Sequence, residues 1–406
     1  MLLYICGMTF TADFFEFISK NIDAEPNRLR LKYYNATEYS FDMGLAIAQI
    51  ECRQRIRRKL PSIAAEPRFL FPSTLLAEQC TDELVAQFHG SLFNGCRTVL
   101  DMTAGLCIDD IAIASKGCKV TGIEIDTNAA EIARHNMVVM NANVDIICGD
   151  SADFIADTDL RFDAIFVDPA RRDSHSNRVY DIADCSPNII ALMPLILKRC
   201  NYLIVKTSPM IDINDTLARI DGITDIWVVA IKNECKEVLI RVSADKSGSE
   251  PSIHTVNYTD SDSTAQRFDF NARNGRTSST PTAMPQAGGY ILEPNACIMK
   301  AGAFAALADA YGIAQIDNNT HIFVSDKYIA DFPGRVFAID EIIPYKEREL
   351  KGFGKSYPHI NVATRNFPLT AEQLRKKLRC NDGGNQYLFG VGLNDRSCVL
   401  IIGHKP

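Results

Sequence analysis

The sequence contains no CxxC pair, no Gly-x-Gly-x-x-Gly loop and no long apolar run. Its thirteen cysteines are scattered from Cys6 to Cys398, so neither zinc-ligand spacing nor a compact disulfide framework is visible. The longest apolar stretch, residues 189–197, contains Pro194, and the N-terminal residues lack the pattern of a signal peptide. We therefore expect reduced thiols, no metal, no membrane contact and a cytoplasmic location.

The composition is that of a soluble globular protein with room for two or three domains: 406 residues, 47% hydrophobic and 23% charged. The net charge of −7 argues against a surface that is basic throughout. The charge is uneven, however. Residues 98–244 hold 14 basic and 22 acidic side chains, whereas residues 334–380 hold ten basic and five acidic ones.

Five segments differ in their residue patterns. Residues 1–90 predict a helical N-terminal domain, because apolar residues recur there at three- and four-residue spacing. Residues 91–244 alternate short β-branched runs with helical stretches, and residues 245–289 read as a polar connector with two short strands. Residues 290–335 and 336–406 predict two small α+β units.

The central segment predicts an α/β fold with a parallel, doubly wound sheet. Seven runs read as strands, with helices between the first five: 98–101, 120–125, 144–148, 164–167, 202–205, 226–231 and 238–242. The last two runs are separated only by residues 232–237, which are too few for a crossover helix. These two runs should form an antiparallel hairpin at one edge of the sheet.

Acidic residues follow three successive predicted strands. Asp101 ends the first, and a small-residue turn containing Thr103 and Gly105 leads into a helix. This arrangement suits a ligand with two charges, because Asp101 can meet an ammonium while backbone N–H groups of residues 105–108 meet a carboxylate. The single glycine argues against a pyrophosphate-binding dinucleotide site.

Glu124 lies near the end of the second predicted strand, nineteen residues beyond Gly105, where an acid can accept from both ribose hydroxyls. Asp150 follows the third strand and can accept from an adenine amino group, while Ile125 packs against the ring. Each acid alone is weak evidence, because aspartate is common at turns. The three together indicate a nucleoside ligand without pyrophosphate.

This set of residues resembles the class I S-adenosylmethionine (SAM)-dependent methyltransferases over residues 90–244. The resemblance implies their seven-stranded sheet and SAM as the cofactor. The residues that it assigns to the cofactor are Asp101, Thr103 and Gly105 for the methionine part, Glu124 for the ribose, and Ile125, Asp150 and Ser151 for the adenine. Residues 71–73 and 78–81 are expected to close the pocket, with Thr81 as a helix N-cap.

The fourth strand ends in Asp168-Pro169-Ala170-Arg171-Arg172. Methyltransferases that act on exocyclic amines of nucleobases have an Asp/Asn-Pro-Pro-aromatic pattern at this place, which the sequence resembles in Asp168 and Pro169 alone. An oxygen at Asp168 would accept hydrogen bonds from the amine and orient its lone pair. Arg171 or Arg172 would replace the missing aromatic as a stacking plane or phosphate contact. The alternative is a turn in which an arginine pairs with a nearby aspartate.

Further candidate substrate contacts lie at the fifth strand and in the C-terminal region. Lys206 and Ser208 follow the fifth strand at the same edge of the sheet and are expected to line the substrate mouth. The basic C-terminal segment, with Arg365, Arg375, Lys376 and interleaved aromatic residues, suits a phosphate backbone and unstacked bases. A solvated helix face is the alternative, as it is for the basic run at residues 53–59.

Four further motifs extend the resemblance over nearly the whole chain: Asp-Pro-Ala-Arg-Arg at 168–172, Lys-Thr-Ser-Pro-Met at 206–210, Glu-Cys-Lys-Glu at 234–237 and Thr-Arg-Asn-Phe-Pro-Leu at 364–369. With them the chain resembles a bacterial group of class I methyltransferases that carry a ferredoxin-like unit and a C-terminal THUMP-like domain. THUMP-type domains are associated with RNA, so the resemblance implies methylation of a base nitrogen of tRNA or rRNA. Two alternatives stay open: a methyltransferase acting on DNA, protein or a small molecule, and a catalytically silent RNA-binding protein that retains the cofactor pocket.

Overall fold

The chain forms two compact units, residues 1–223 with 239–247 and residues 224–238 with 248–406. The structure, a computed structural model, describes residues 3–5, 8–170, 185–243, 245, 250–259, 264–273, 280–393 and 397–406. Within these ranges each of the twelve cysteines is a free thiol. In the same part of the chain, no helix combines the length and apolarity that a bilayer span requires.

The first unit begins with helices, as the sequence predicts, preceded by a short antiparallel pair of strands that was not predicted. The elements are β1 (Leu3–Ile5), β2 (Met8–Phe10), α1 (Ala12–Lys20), α2 (Pro26–Lys32), α3 (Met43–Ile56), α4 (Pro61–Ala65), α5 (Thr74–Gln79) and α6 (Glu83–Ser91). Asp82 caps α6, because its carboxylate accepts a hydrogen bond from Leu84 N at 3.0 Å. The prediction that Thr81 is this N-cap is therefore wrong, and the Thr81 hydroxyl is available for other contacts.

The central sheet of the first unit is parallel and doubly wound, as predicted. Its elements are β3 (Thr98–Asp101), α7 (Ile108–Ala114), β4 (Lys119–Glu124), α8 (Thr127–Val139), β5 (Val144–Cys148), α9 (Ser151–Asp157), β6 (Phe162–Val167), α10 (Ile189–Arg199), β7 (Cys200–Thr207) and α11 (Ile213–Arg219). The strands lie in the order β7-β6-β3-β4-β5, and every neighbouring pair is parallel. The carboxyl ends of these strands consequently meet at one edge, which is where ligands bind in such sheets.

The last two predicted strands, β8 (Ile223–Ile231) and β9 (Glu234–Val242), are neighbours joined by a two-residue turn. Lys232 and Asn233 have φ angles of 50° and 64°, as a tight hairpin turn requires. The hairpin is therefore confirmed, but its position at an edge is wrong. β10 (Ser252–Tyr258) pairs in parallel with β8, and β11 (Ala265–Asn271) pairs antiparallel with β10.

The remainder of the second unit is an α+β structure around a second sheet with the strand order β13-β14-β12-β15-β18-β17-β16. Its elements are β12 (Tyr290–Pro294), α12 (Ala296–Ala301), α13 (Phe304–Tyr311), β13 (Ala314–Gln315), β14 (Phe323–Ser325), β15 (Gly334–Pro344), α14 (Phe353–Ser356), β16 (Asn361–Arg365), α15 (Ala371–Leu378), β17 (Gln386–Gly392) and β18 (Cys398–His404). Phe337, Phe389 and Ile401 are fully buried in its core. The basic helix α15 begins at a capping box formed by Thr370 and Gln373.

Among the basic side chains at residues 53–59, that of Arg53 is buried. Its guanidinium donates hydrogen bonds to four backbone carbonyls, those of Ala64, Glu66, Pro67 and Phe69, at 2.6–3.3 Å. Burial lowers the pKa of Arg53 to about 10, so the side chain is still charged at neutral pH. Arg53 thus fixes the segment that leads toward the predicted pocket-closing residues.

Replacing Arg53 with methionine should destabilise the protein by at least about 3 kcal/mol, because four backbone carbonyls would lose their common donor. The exposed Arg58 lies in the same run and provides the matched control. We expect Arg58→Met to change the free energy of unfolding by less than about 0.5 kcal/mol. Denaturant unfolding of the three proteins measures both values, and equal effects would show that Arg53 does not hold this segment.

Candidate active site

The end of β3 is tied to the end of β6 by one threonine. The Asp101 carboxylate, 2% exposed, accepts hydrogen bonds from Thr103 N at 2.7 Å and from Thr103 Oγ1 at 3.2 Å. Thr103 Oγ1 in turn accepts from Asp168 N at 2.7 Å. The structure therefore brings Asp101, Thr103 and Asp168 together at the carboxyl edge of the sheet.

Burial raises the pKa of two carboxyl groups below this edge of the sheet, those of Asp101 and Asp110. Burial raises the pKa of Asp101 to about 7, against the opposing hydrogen bonds from Thr103. Burial and the neighbouring charge of Asp101 raise the pKa of Asp110 well above its usual range. Neither Asp110 carboxyl oxygen has a hydrogen-bond partner among the described residues. Asp101 is therefore the carboxyl poised to ionise when a cation binds.

Glu124, at the end of β4, is held by two backbone donors. Its Oε2 accepts from Gly105 N at 3.0 Å and its Oε1 from Asp126 N at 2.8 Å. Gly105 has a φ of +53°, the left-handed region that glycine adopts without strain. Each carboxylate oxygen can accept a further hydrogen bond, so Glu124 is oriented but still able to bind hydroxyls. The expectation of free N–H groups at residues 105–108 is wrong for Gly105, which donates to Glu124, and for Cys107, whose N–H donates to Ala104 O at 2.7 Å.

The adenine-side candidates follow β4 and β5, which are paired in register. Ile125 is 71% exposed, an apolar side chain that a flat ring could cover. Asp150 caps α9 through its Oδ1, which accepts from Ala152 N at 2.7 Å. Ser151 is buried as the first residue of that helix. Asp150 thus has a structural role that leaves its second oxygen for a ligand.

Asp168 is bound to a buried lysine. Lys206 Nζ lies 2.6 Å from Asp168 Oδ2 and 2.9 Å from Thr81 Oγ1. The lysine side chain is 6% exposed, whereas that of Asp168 is 31% exposed. Lys206 therefore lies buried beneath the partly exposed Asp168, and its place at the substrate mouth stays a prediction.

Thr81 connects Lys206 to Asp109 and His89, two residues that were not predicted from the sequence as part of the site. Thr81 Oγ1 lies 2.6 Å from Asp109 Oδ2, and Asp109 Oδ1 lies 2.7 Å from His89 Nδ1. Although burial alone would raise it, contacts led by His89 hold the pKa of Asp109 at about 2. Asp109 is therefore an anion at neutral pH.

The other predicted site residues occupy different settings. Pro169 is buried, and Ser208 is buried with its Oγ accepting from Met210 N at 3.2 Å. Arg171 and Arg172 lie outside the described residues. The remaining three belong to the second unit: Arg365 pairs with Glu293, Lys376 pairs with Glu372, and Arg375 lies in α15.

Taken together, the edge formed by β3, β4, β5 and β6 has acceptors for several different groups. A buried carboxyl that can ionise suits a cation, an oriented carboxylate suits hydroxyls, and an exposed isoleucine suits an aromatic ring. A nucleoside carrying an ammonium group meets all three requirements. The residues present therefore fit the ligand that the sequence implies.

Two family models match the C-terminal part of the chain. One describes a ferredoxin-like domain and covers residues 290–333, and the other describes a THUMP-like domain and covers residues 334–405. Uncharacterised SAM-dependent methyltransferases from two strains of Mycobacterium tuberculosis are 23% identical over 314 residues, which span 77% of this chain and 81% of theirs.

A crystal structure from Porphyromonas gingivalis W83, assigned as a methyltransferase, is 32% identical and covers 97% of both chains with a TM-score of 0.86. The fold of the chain is therefore shared with that protein over nearly its full length. The chain belongs to the SAM-dependent methyltransferases that carry ferredoxin-like and THUMP-like domains, and SAM is its cofactor.

Proposed function

We propose that this enzyme transfers the methyl group of SAM to a base nitrogen of RNA, either tRNA or rRNA, in the cytoplasm. The observation that carries the proposal is the setting of Asp168 at the carboxyl edge of the sheet. Its carboxylate is held by Lys206, and its backbone N–H is joined through Thr103 to Asp101. SAM supplies an electrophilic methyl group, so no strong base is needed for attack. What the protein must provide is orientation of the acceptor.

A carboxylate only accepts hydrogen bonds. Because Asp168 Oδ2 is bonded to Lys206, the other oxygen is the one that would meet the substrate. Its partner must carry a hydrogen, as an exocyclic amine of a base does. Asp168 and the adjacent Pro169 would thus position a nitrogen acceptor, with Arg171, two residues further along the sequence, as an additional candidate.

The cofactor residues proposed from the sequence divide among three parts of SAM. Asp101, with its ability to ionise, would pair with the ammonium, and Thr103 and Gly105 would shape the loop around it. Glu124 would accept from the ribose hydroxyls. The residues for the adenine are Ile125, Asp150 and Ser151.

The RNA part of the proposal rests on the C-terminal region. The match to a THUMP-like domain at residues 334–405 and the excess of basic residues at 334–380 both favour a phosphate-rich substrate. In this region Lys377 Nζ lies 4.8 Å from the Tyr345 ring centroid, and Tyr345 packs against Phe367. We assign Arg365, Arg375 and Lys376 there, and Arg172 and Ser208 in the first unit, to substrate binding.

Transfer from radiolabelled SAM tests the substrate class directly. The protein is incubated with total bacterial RNA and, in parallel, with bacterial DNA and a protein extract, and the label is located by nucleoside mass spectrometry. We expect label on a base nitrogen of RNA. Absence of transfer to RNA, with SAM binding established by calorimetry, defeats the RNA proposal, and label in DNA or protein alone would identify the alternative.

The affinity for SAM should depend on pH through Asp101. Because the pKa of this carboxyl is raised to about 7 by burial, binding of an ammonium below that pH requires loss of a proton. Affinity should therefore fall by about tenfold per pH unit below 7. Calorimetry between pH 5.5 and 7.5 measures this, and Asp101→Asn should bind weakly at every pH. A constant wild-type affinity would contradict the role given to Asp101.

A further inference from the structure

We propose that Thr81, Asp109 and His89 form a positioning chain that fixes the Lys206 ammonium against Asp168. The proposal rests on the role given to Asp168 above. None of the three side chains is expected to touch SAM or the substrate. Thr81 lies in the predicted pocket-closing segment 78–81, but its side chain is buried and its hydroxyl is occupied by Asp109 and Lys206. The three residues act through Lys206, and we call them the positioning chain.

The direction of each hydrogen bond in the chain is fixed by chemistry. A carboxylate has no proton to donate, so the hydrogen of the Thr81 hydroxyl must point to Asp109 Oδ2, 2.6 Å away. The lone pairs of the same hydroxyl are then left for Lys206 Nζ at 2.9 Å. By the same reasoning, His89 carries a hydrogen on Nδ1, where it donates to Asp109 Oδ1.

Charge keeps this direction constant. The pKa of Asp109 is held at about 2 by contacts led by His89, so Asp109 is an acceptor throughout the physiological pH range. His89 is fully buried, and Asp109 is mostly buried with a side-chain exposure of 13%. A hydroxyl held between an anion and an ammonium can therefore present only its lone pairs to Lys206.

Lysine needs such a constraint because its ammonium sits on a flexible four-carbon stem. The positioning chain supplies this constraint from parts of the sequence far from Lys206. Thr81 lies between α5 and α6, His89 in α6 and Asp109 in α7. Asp82 caps α6, so the Thr81 side chain is not needed for that role. With Lys206 fixed on Asp168 Oδ2, the other carboxylate oxygen is left to accept from the substrate amine.

Substitutions of Thr81 test the chain. Thr81→Val removes the hydroxyl at nearly constant volume, and Thr81→Ser retains it. We expect Thr81→Val to lower kcat about tenfold, the loss typical of one hydrogen bond to a charged group, with the Kd for SAM and the KM for RNA changed less than twofold. Thr81→Ser should restore kcat. Thr81→Ala removes the same hydroxyl without adding a methyl group and replaces the valine variant if that variant does not fold.

A second readout needs no RNA. In protein labelled with ¹⁵N-lysine and loaded with S-adenosylhomocysteine, the buried Lys206 ammonium should give a slowly exchanging signal, assigned by its loss in Lys206→Arg. This signal should persist in Thr81→Ser and disappear in Thr81→Val. If the signal persists in Thr81→Ser and disappears in Thr81→Val while no RNA is methylated, the RNA proposal fails and the positioning chain stands.

Two results would overturn the chain. One is an unchanged kcat and an unchanged Lys206 signal in Thr81→Val. The other is a loss of SAM affinity and thermal stability in Thr81→Val that matches the loss of kcat, because this would indicate a purely structural role.

Discussion

Replacing Asp168 with asparagine should lower the rate of methyl transfer by about 10²- to 10³-fold, the usual effect of removing one preorganised polar contact to a reacting group. Affinity for SAM should change by less than about threefold. The reason lies in Lys206, which is buried and bonded to Asp168 Oδ2 at 2.6 Å. The amide oxygen of the variant would stay on Lys206, and its NH₂ group would then face the acceptor nitrogen. A hydrogen-bond acceptor would become a donor.

The asparagine variant is preferable to alanine. Alanine would leave the buried Lys206 ammonium without its carboxylate, which typically costs 3–5 kcal/mol of stability. Loss of folding could then be mistaken for loss of catalysis. Asp159→Asn is the matched control, because this carboxylate is fully exposed. Single-turnover transfer and SAM calorimetry on both variants separate an effect on methyl transfer from an effect on SAM binding. Near-normal transfer by Asp168→Asn would show that Asp168 does not contact the acceptor.

Replacing Glu124 with alanine should weaken SAM binding by at least about 100-fold. Hydrogen bonds to a charged group contribute about 1.5–3 kcal/mol each, and the ribose would lose two. The same carboxylate also accepts from Gly105 N at 3.0 Å, so the loop after β3 would lose an anchor. Both effects act on the cofactor site, and neither involves the residues that meet RNA.

Calorimetric titration with SAM measures this loss. Asp145→Asn provides the control, because Asp145 is an exposed carboxylate in β5 that pairs only with the surface Lys119 in the contacts described. We expect the control to bind SAM as the wild type does. An affinity of Glu124→Ala within about fivefold of the wild type would mean that the ribose is bound elsewhere.

The fold of the first unit was predictable because each strand ends in a recognisable way. Strands β3 to β5 are followed by short polar or small-residue turns and then by helices, and Asp126 and Asp150 also cap those helices. The local sequence signals for strand, turn and helix therefore agree with one another in this region. As a result, the predicted strand at 120–125 differs from β4 by one residue at each end. The place of the hairpin was not predictable, since nothing local in β10 indicates that it pairs with β8.

The acids at the strand ends could be identified from the sequence, but their surroundings could not. Lys206 and Thr81 are 125 residues apart, and no periodicity links them. Because Lys206 comes at the end of the fifth predicted strand, at the ligand-facing edge of the sheet, the sequence placed it at the substrate mouth and gave no sign of its burial. Burial of the lysine depends on the packing of α6 and α7, which only the tertiary structure establishes.

Arg53 is a case in which a signal was present in the sequence. It lies three residues after Ile50 and seven after Ala46, both fully buried on α3. This helical spacing places Arg53 on the apolar face of the helix. The interpretation of residues 53–59 as a solvated charged face overlooked this position on the apolar face. Arg57 and Arg58 are exposed, as that interpretation predicts.

A crystal structure of the protein with S-adenosylhomocysteine tests the central claim most directly, because it locates the spent methyl donor among the side chains of β3 to β6. The account predicts ribose hydroxyls on Glu124, the amino group on Asp101 and the sulfur facing Asp168. A ligand seated elsewhere, or one from which these three carboxyl groups turn away, would contradict it.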